Sequence, residues 1–248
     1  MTLREEMESH GGWLFRWRSY LPLCLLPLVL IALSADPRRE AAWGDLTDDI
    51  VKSAGLGLAL LGLLIRCLVA GFVPGWTSGR NTRRQVAASL NTTGMYSLVR
   101  HPLYLGNLLI TLGLVTYTGS PWLVACIGLA FLLYYERIML TEEEFLRASF
   151  GDTYLAWAAR VPCLLPRGLS WVRPALPFCV RTLLRRETTT AFVLVAAFTF
   201  IAHGRDLIGE RRFELEAEWL VPLALTGLLW WTTRFLRKRT QVLAVEGR

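Results

Sequence analysis

The sequence predicts an all-α polytopic membrane protein with about six transmembrane helices, a central helical hairpin and interfacial helices on the cytoplasmic side. Three observations lead there. Hydrophobic residues make up 53% of the 248 residues and gather into blocks that approach the span of a bilayer. Arginine is concentrated in alternate connecting segments, the distribution that marks cytoplasmic loops. Between the third and fourth blocks only Gly119-Ser120-Pro121 interrupts the apolar run, a tight break that folds two helices against each other.

In chain order the blocks lie at about 20–35, 51–73, 103–118, 121–140, 188–204 and 219–236. Several fall short of the ~20 residues that an upright helix needs, so tilt or helix ends reaching the interface must supply the rest. The first block has arginines before it and Ser34 and Ala35 at its end, as a cleaved signal does. Its leader, however, is long and carries Glu5, Glu6 and Glu8, and Pro22 and Pro27 interrupt its core, so it is read as a retained span.

Orientation follows from the basic residues. Arg4, Arg16 and Arg18 precede block one; Arg80, Arg83, Arg84 and Arg100 lie between blocks two and three; the stretch from Arg147 to Arg186 carries more, and Arg237, Lys238 and Arg239 follow block six. The opposite loops hold Arg38, Arg39, Arg205, Arg211 and Arg212. Both termini and the segment leading into block three are therefore expected in the cytoplasm. The net charge of +7 is a topology signal, with no basic face of interleaved aromatics, and nucleic acid is not an expected partner. All basic residues except Lys52 and Lys238 are arginines, which fits either genomic composition or the holding of anionic headgroups. The five cysteines (24, 67, 126, 163, 179) show no CxxC spacing, and neither a metal site nor a disulfide framework is expected.

Three regions result: 1–89, with two helices and a cytoplasmic loop; 90–166, the hairpin and its flanking motifs; and 167–248, an interfacial linker followed by two further helices. Because the hairpin's open ends face the same side, residues before block three and after block four converge. In "TEEEFLRASFGDTYLAWAARVPCLLP", Thr141 reads as an N-cap ahead of Glu142, Glu143 and Glu144, Gly151 ends that helix, and a second short helix runs over 152–160 to stop at Pro162.

Taken singly, these pieces have structural readings. Pro102 suits a helix start, Tyr96 and Tyr104 suit an interfacial belt, and the glutamates suit a first turn. Together they suggest a site. A helix N-terminus with Arg100 and His101 beside it suits a carboxylate or phosphate, while Glu142 and Glu143 suit an ammonium or sulfonium. S-adenosylmethionine carries both kinds of group, and its adenine would need an aromatic cradle such as Tyr96, Tyr104, Tyr154 or Trp157.

The string Gly94-x-Tyr96-x3-Arg100-His101-Pro102-x-Tyr104-x-Gly106, followed by Glu142-Glu143-x2-Leu146-x3-Phe150-Gly151-x2-Tyr154, resembles the isoprenylcysteine carboxyl methyltransferase and phospholipid methyltransferase superfamily. The resemblance covers 90–166, with two motifs in the right order around a hairpin. It implies an integral membrane, S-adenosylmethionine-dependent methyltransferase whose lipid or lipidated substrate enters from the bilayer. Carried over by position, the cofactor residues are Tyr96, His101, Tyr104, Gly106, Glu142, Glu143 and Tyr154, and Arg100, His101 and Glu143 are the catalytic candidates. Trp157 stands where a second tyrosine is usual, and the segment after residue 166 has no counterpart in the family core, so it is the expected source of unusual substrate choice or of oligomer contacts.

The expected reaction is in-line transfer of a methyl group to a carboxylate, phosphate or amine of a membrane lipid or lipidated molecule, with the protein positioning the reactants and excluding water. An anionic oxygen needs no general base, whereas an amine would need His101 or a glutamate to take its proton. Competing readings are isoprenylcysteine-type carboxyl methylation specifically, a membrane reductase with a similar Arg-His-Pro segment, and a non-catalytic scaffold on the same fold. Arg66, inside block two, reads as a snorkelling side chain or a contact to an anionic group of the substrate. Gly55, Gly57 and Gly62 read as a helix-packing face.

Overall fold

The computed structural model describes residues 2–17, 24, 26–34, 44–75, 77, 87–205, 207–208 and 216–248. Every regular element among them is helical: α1 (Leu3–Trp17), α2 (Leu26–Ser34), α3 (Asp45–Phe72), a 3-10 turn (Gly94–Ser97), α4 (Pro102–Tyr117), α5 (Pro121–Ala158), α6 (Val180–Arg205) and α7 (Ala217–Arg239). Among the described residues α3, α5 and α6 are long and apolar enough to cross a membrane, and α4 is a shorter apolar helix of 16 residues. Helix α2 covers nine residues of the first expected span; the rest of that span, and the loops carrying Arg38, Arg39, Arg211, Arg212, Arg80, Arg83 and Arg84, lie outside the described residues.

Helices α3 and α4 run antiparallel with their backbones in direct contact. A Cβ on Gly55 would sit 2.7 Å from the Gly113 carbonyl oxygen, and one on Gly62 would sit 2.5 Å from that of Gly106. Seven residues separate the two glycines on each helix, about two turns, so both pairs fall on one face. Gly55 and Gly62 therefore serve as expected. Gly57 does not, since a Cβ there would meet nothing within 4 Å.

The hairpin forms as expected. Gly119 adopts φ 67 between α4 and α5, a left-handed conformation that glycine reaches without steric cost, and Pro121 opens α5 at its first turn. One correction concerns the second half of α5. Thr141 is not an N-cap: α5 continues through it, and its hydroxyl donates to the Arg137 carbonyl at 3.0 Å. Gly151 breaks the helix as expected, at φ 52 and ψ −126, and a second short helical segment follows it to Ala158. About twenty residues of α5 suffice to cross the hydrocarbon, so the stretch from Thr141 onward, with its three glutamates, extends past it.

Helix α1 has no counterpart among the expected elements. It lies along α5, where the Tyr134 hydroxyl donates to the Leu14 carbonyl at 3.1 Å and Arg137 donates to His10 Nδ1 at 3.3 Å. Its Phe15 enters the core formed by Tyr104, Leu108, Phe131, Tyr135, Ile138 and Met139.

Helices α6 and α7 pair through Thr188 and Thr233, whose hydroxyls are 3.0 Å apart, and through Phe192 stacked on Trp230. Two ion pairs join α6 to α3: Arg66 with Glu187 near one end and Asp48 with Arg205 near the other. Eighteen residues separate Asp48 from Arg66, about 27 Å of helix, close to the ~30 Å thickness of a bilayer's hydrocarbon core. The C-terminal pair is thus fixed to the rest of the bundle at both membrane levels.

Candidate active site

The site forms at the open end of the hairpin. His101 caps α4 and Pro102 occupies its first turn. The backbone before α4 is tied to the segment after α5, with Arg100 N–H donating to the Pro162 carbonyl at 2.8 Å and His101 N–H to the Cys163 carbonyl at 3.1 Å. These two bonds hold the α4 N-terminus against the last turns of α5.

His101 is 6% exposed and faces a carboxylate on each side of its ring. Its Nε2 lies 3.0 Å from Glu143 Oε1, and its Nδ1 lies 3.5 Å from Glu142 Oε2. The Tyr104 hydroxyl donates to Glu142 Oε1 at 2.7 Å, and the Tyr104 ring stacks on His101 with centroids 5.6 Å apart. Arg100 Nη1 donates to the Ala158 carbonyl at 3.0 Å, satisfying the end of α5, while its Nε lies 3.0 Å from Glu143 Oε1.

Protonation follows from this geometry. Burial disfavours the imidazolium, but hydrogen bonding to Cys163, Glu142 and Glu143 prevails and holds His101 well above the ordinary histidine range. Burial likewise opposes the Glu143 carboxylate, and the neighbouring His101 and Arg100 outweigh it, so that carboxyl is held below its usual range. Burial, reinforced by the Glu143 charge, pushes the Tyr154 phenol up. The His101 ring, held toward its protonated form, thus sits between Glu142 and Glu143.

The break at Gly151 turns the last helical segment so that Tyr154 and Trp157 reach the same region; both are buried, and their rings meet edge to face at 5.8 Å. Tyr154 Oη, Trp157 Nε1 and Arg100 Nε are buried and have no aligned hydrogen-bond partner. Buried polar atoms are normally satisfied; Arg100 Nε has its ion pair with Glu143 and the Tyr154 phenol also interacts with Glu143, so the Trp157 indole N–H is the buried donor left for a polar ligand. The donor set fits S-adenosylmethionine on that observation: carboxylates for a cation, cationic and N–H groups for a carboxylate, and aromatic walls.

The expected residues fall into two groups. Arg100, His101, Tyr104, Glu142, Glu143 and Tyr154 come together. Tyr96 sits beside them, packed between the Tyr154 and Trp157 cluster and the core under the 3-10 turn. Gly106 faces elsewhere: a Cβ there would meet Arg66 Cγ at 2.7 Å and the Gly62 carbonyl at 2.9 Å, so its role is helix contact.

Three residues enter that the sequence left unassigned. Asn107 accepts from Arg66 Nη1 at 2.5 Å and donates to the Tyr135 hydroxyl at 3.2 Å. Arg66 does not snorkel; it forms a two-pronged pair with Glu187 at 2.8 and 3.1 Å and a further bond to Thr190. Cys163 places its Sγ 3.6 Å from Glu143 Oε1. No spacing signal could have shown Cys163, because its partners come from two separate segments, His101 before α4 and Met139 and Glu143 on α5.

A polytopic helical bundle that gathers a buried histidine, paired glutamates and tyrosines at the open end of a central hairpin has the architecture of an integral membrane methyltransferase. The phospholipid methyltransferase family matches residues 52–153. The cobalt-zinc-cadmium resistance protein CzcN of Cupriavidus metallidurans is 38% identical over 61% of this chain and 62% of its own length. The nickel-cobalt-cadmium resistance protein NccN of Alcaligenes xylosoxydans xylosoxydans is 31% identical over 63% of this chain and 68% of its own. Protein-S-isoprenylcysteine O-methyltransferase B of Arabidopsis thaliana is 28% identical over 47% and 59%. No solved structure matches. The chain belongs to the phospholipid methyltransferase and isoprenylcysteine O-methyltransferase family.

Proposed function

We propose that this protein methylates an anionic polar group of a membrane lipid or lipidated molecule, using S-adenosylmethionine bound at the cytoplasmic end of the hairpin. The observation that carries the reading is the buried His101 ring fixed between Glu142 and Glu143, with Arg100 paired to Glu143 and the buried Trp157 indole N–H left without a partner beside them.

When bound, S-adenosylmethionine supplies an electrophilic methyl group on a sulfonium. Glu142 and Glu143 hold its cationic side, Arg100 and His101 its carboxylate, and Tyr96, Tyr104, Tyr154 and Trp157 its aromatic part. Tyr104 keeps Glu142 in place through its hydroxyl, and Glu143 keeps the imidazole oriented. The backbone bonds from Arg100 and His101 to Pro162 and Cys163 hold the α4 N-terminus and the segment after α5 together beside these groups.

The choice of an anionic acceptor rests on proton accounting. A general base must be free of its proton at the working pH. His101 already holds its second proton, and Glu143, acidified by its neighbours, is a weak base. A carboxylate or phosphate oxygen is ionised beforehand and requires neither. The isoprenylcysteine O-methyltransferase named above acts on such an oxygen by its name, which supports the same class here. The metal-resistance names of two relatives suggest a setting in which the methylated product is used, without implying a different chemistry.

The test is to incubate membranes containing the protein with S-adenosylmethionine carrying a labelled methyl group and to identify labelled species by mass spectrometry. A lipid-extractable, base-labile ester that is lost with Glu143→Gln is expected. Label absent from membrane species, or retained in an amine, would overturn the reading.

A further inference from the structure

We propose that the candidate active site is also a site for a thiophilic divalent cation, Zn²⁺ or Cd²⁺, held by His101 Nε2, Glu143 Oε1 and Cys163 Sγ with the Met139 thioether beside them. This rests on the proposed function only where it says that the ion and S-adenosylmethionine exclude each other.

The geometry comes first. The three ligand atoms of His101, Glu143 and Cys163 all lie within 4.8 Å of one another, with Nε2 to Oε1 at 3.0 Å and Sγ to Oε1 at 3.6 Å. Bond lengths of ~2.0 Å to nitrogen or oxygen and ~2.3 Å to sulfur in a tetrahedron put ligand atoms roughly 3.3–3.8 Å apart. The cluster is therefore close to that size already, and small side-chain rotations complete it. Met139 Sδ lies 3.8 Å from Cys163 Sγ, a fourth donor at the same spacing.

Chemistry selects the ion. One imidazole, one carboxylate and two sulfur atoms are a poor set for Mg²⁺ or Ca²⁺, which want oxygen, and a good one for borderline or soft ions. The supports are rigid: His101 is anchored by its backbone bond to the Cys163 carbonyl, which ties two ligands together directly, and Met139 is buried in the core beneath.

Two costs oppose binding. The ion must displace a proton from the imidazolium and one from the thiol, and it must tolerate the Arg100 guanidinium. A shift of Arg100 Nε away from Glu143 gives up their 3.0 Å ion pair, a loss that the charge of the bound ion must offset, while Arg100 keeps its bond to the Ala158 carbonyl through Nη1. Because His101 and Glu143 belong to both sites, an ion bound there removes the cation-holding carboxylate from the cofactor. The consequence is a methyltransferase inhibited directly by thiophilic metal.

The experiment titrates Cd²⁺ into the full-length protein in nanodiscs, reading the ultraviolet thiolate-to-metal charge-transfer absorption and, by equilibrium dialysis, ions bound per chain. One ion per chain with that absorption is expected. Cys163→Ser should abolish the absorption and weaken binding at least tenfold, and Met139→Leu should weaken it less; thermal melting of both variants checks that they fold. Saturating S-adenosylmethionine should weaken Cd²⁺ binding at least tenfold. The site is overturned if no absorption develops, or if it survives in folded Cys163→Ser, which would assign it to Cys24, Cys67, Cys126 or Cys179. Cys163-dependent Cd²⁺ binding that S-adenosylmethionine does not weaken would overturn mutual exclusion. Should S-adenosylmethionine fail to bind in the absence of metal, the proposed function falls while the metal site stands.

Discussion

Arg66 and Glu187 form a two-pronged ion pair, at 2.8 and 3.1 Å, between a helix of the family core and a helix outside it. The guanidinium also reaches Asn107, one residue beyond the glycine that ends the first motif. The extra C-terminal helices thus meet the hairpin through this arginine, whose stem lies against Gly106, as well as through Tyr117, which packs on Phe198 and Trp219. Asn107 in turn bonds the Tyr135 hydroxyl, and the Tyr135 ring packs against Tyr104 of the site.

Removing either partner leaves a buried charge without its counter-ion. Glu187→Gln or Arg66→Met should each destabilise the protein by about 3–5 kcal/mol, and the double variant should cost clearly less than the sum. Thermal melting in detergent across the double-mutant cycle checks this. Additive losses would show that the pair is not coupled.

The paired glycines give a second outcome. Gly106→Val should push α4 off Arg66 and Gly62 and lower the melting temperature sharply, whereas Gly57→Ala, which opens on nothing within 4 Å, should leave it unchanged or slightly raised. A Gly106→Val protein that melts with wild type would contradict the contact.

The pH dependence has a defined sign. A raised His101 pKa contributes stability that is complete below the ordinary value near 6.5 and is lost as pH rises through the folded-state value. A lowered Glu143 pKa contributes stability that is complete above the ordinary value near 4.5 and is lost as pH falls through its folded-state value. Melting temperature should therefore be greatest from about the ordinary glutamate to the ordinary histidine pKa. It should fall on the alkaline side above the latter, and His101→Gln should flatten that alkaline limb. A profile unchanged by His101→Gln would separate the imidazole from the stability of the site.

The hairpin and its charged mouth are legible in the sequence because they rest on local signals: a Gly-Ser-Pro turn, apolar blocks, and two motifs whose meeting follows from a short connection. The features that escape a sequence reading depend on tertiary partners. Arg66 looks like a snorkelling residue because nothing in its own segment announces Glu187, which is 121 positions away. Thr141 looks like a cap because three acids follow it, yet apolar contacts of the preceding turns with α1 and α4 carry the helix through. Helix α1 has few apolar residues, and its contacts with α5 and α4 give Phe15 a partner. Gly106 belongs to a motif associated with the cofactor, but its position is explained by the approach of α3.

The most direct test is calorimetric titration of S-adenosylmethionine into the purified full-length protein in nanodiscs, with His101→Ala and Glu143→Gln alongside. Binding to the wild type is expected. It should be weakened about ten- to a hundredfold in Glu143→Gln, as the loss of one charged hydrogen bond of ~1.5–3 kcal/mol implies, and comparably in His101→Ala. No binding to the wild type, or unchanged affinity in both folded variants, would contradict the assignment of this cluster as the cofactor site.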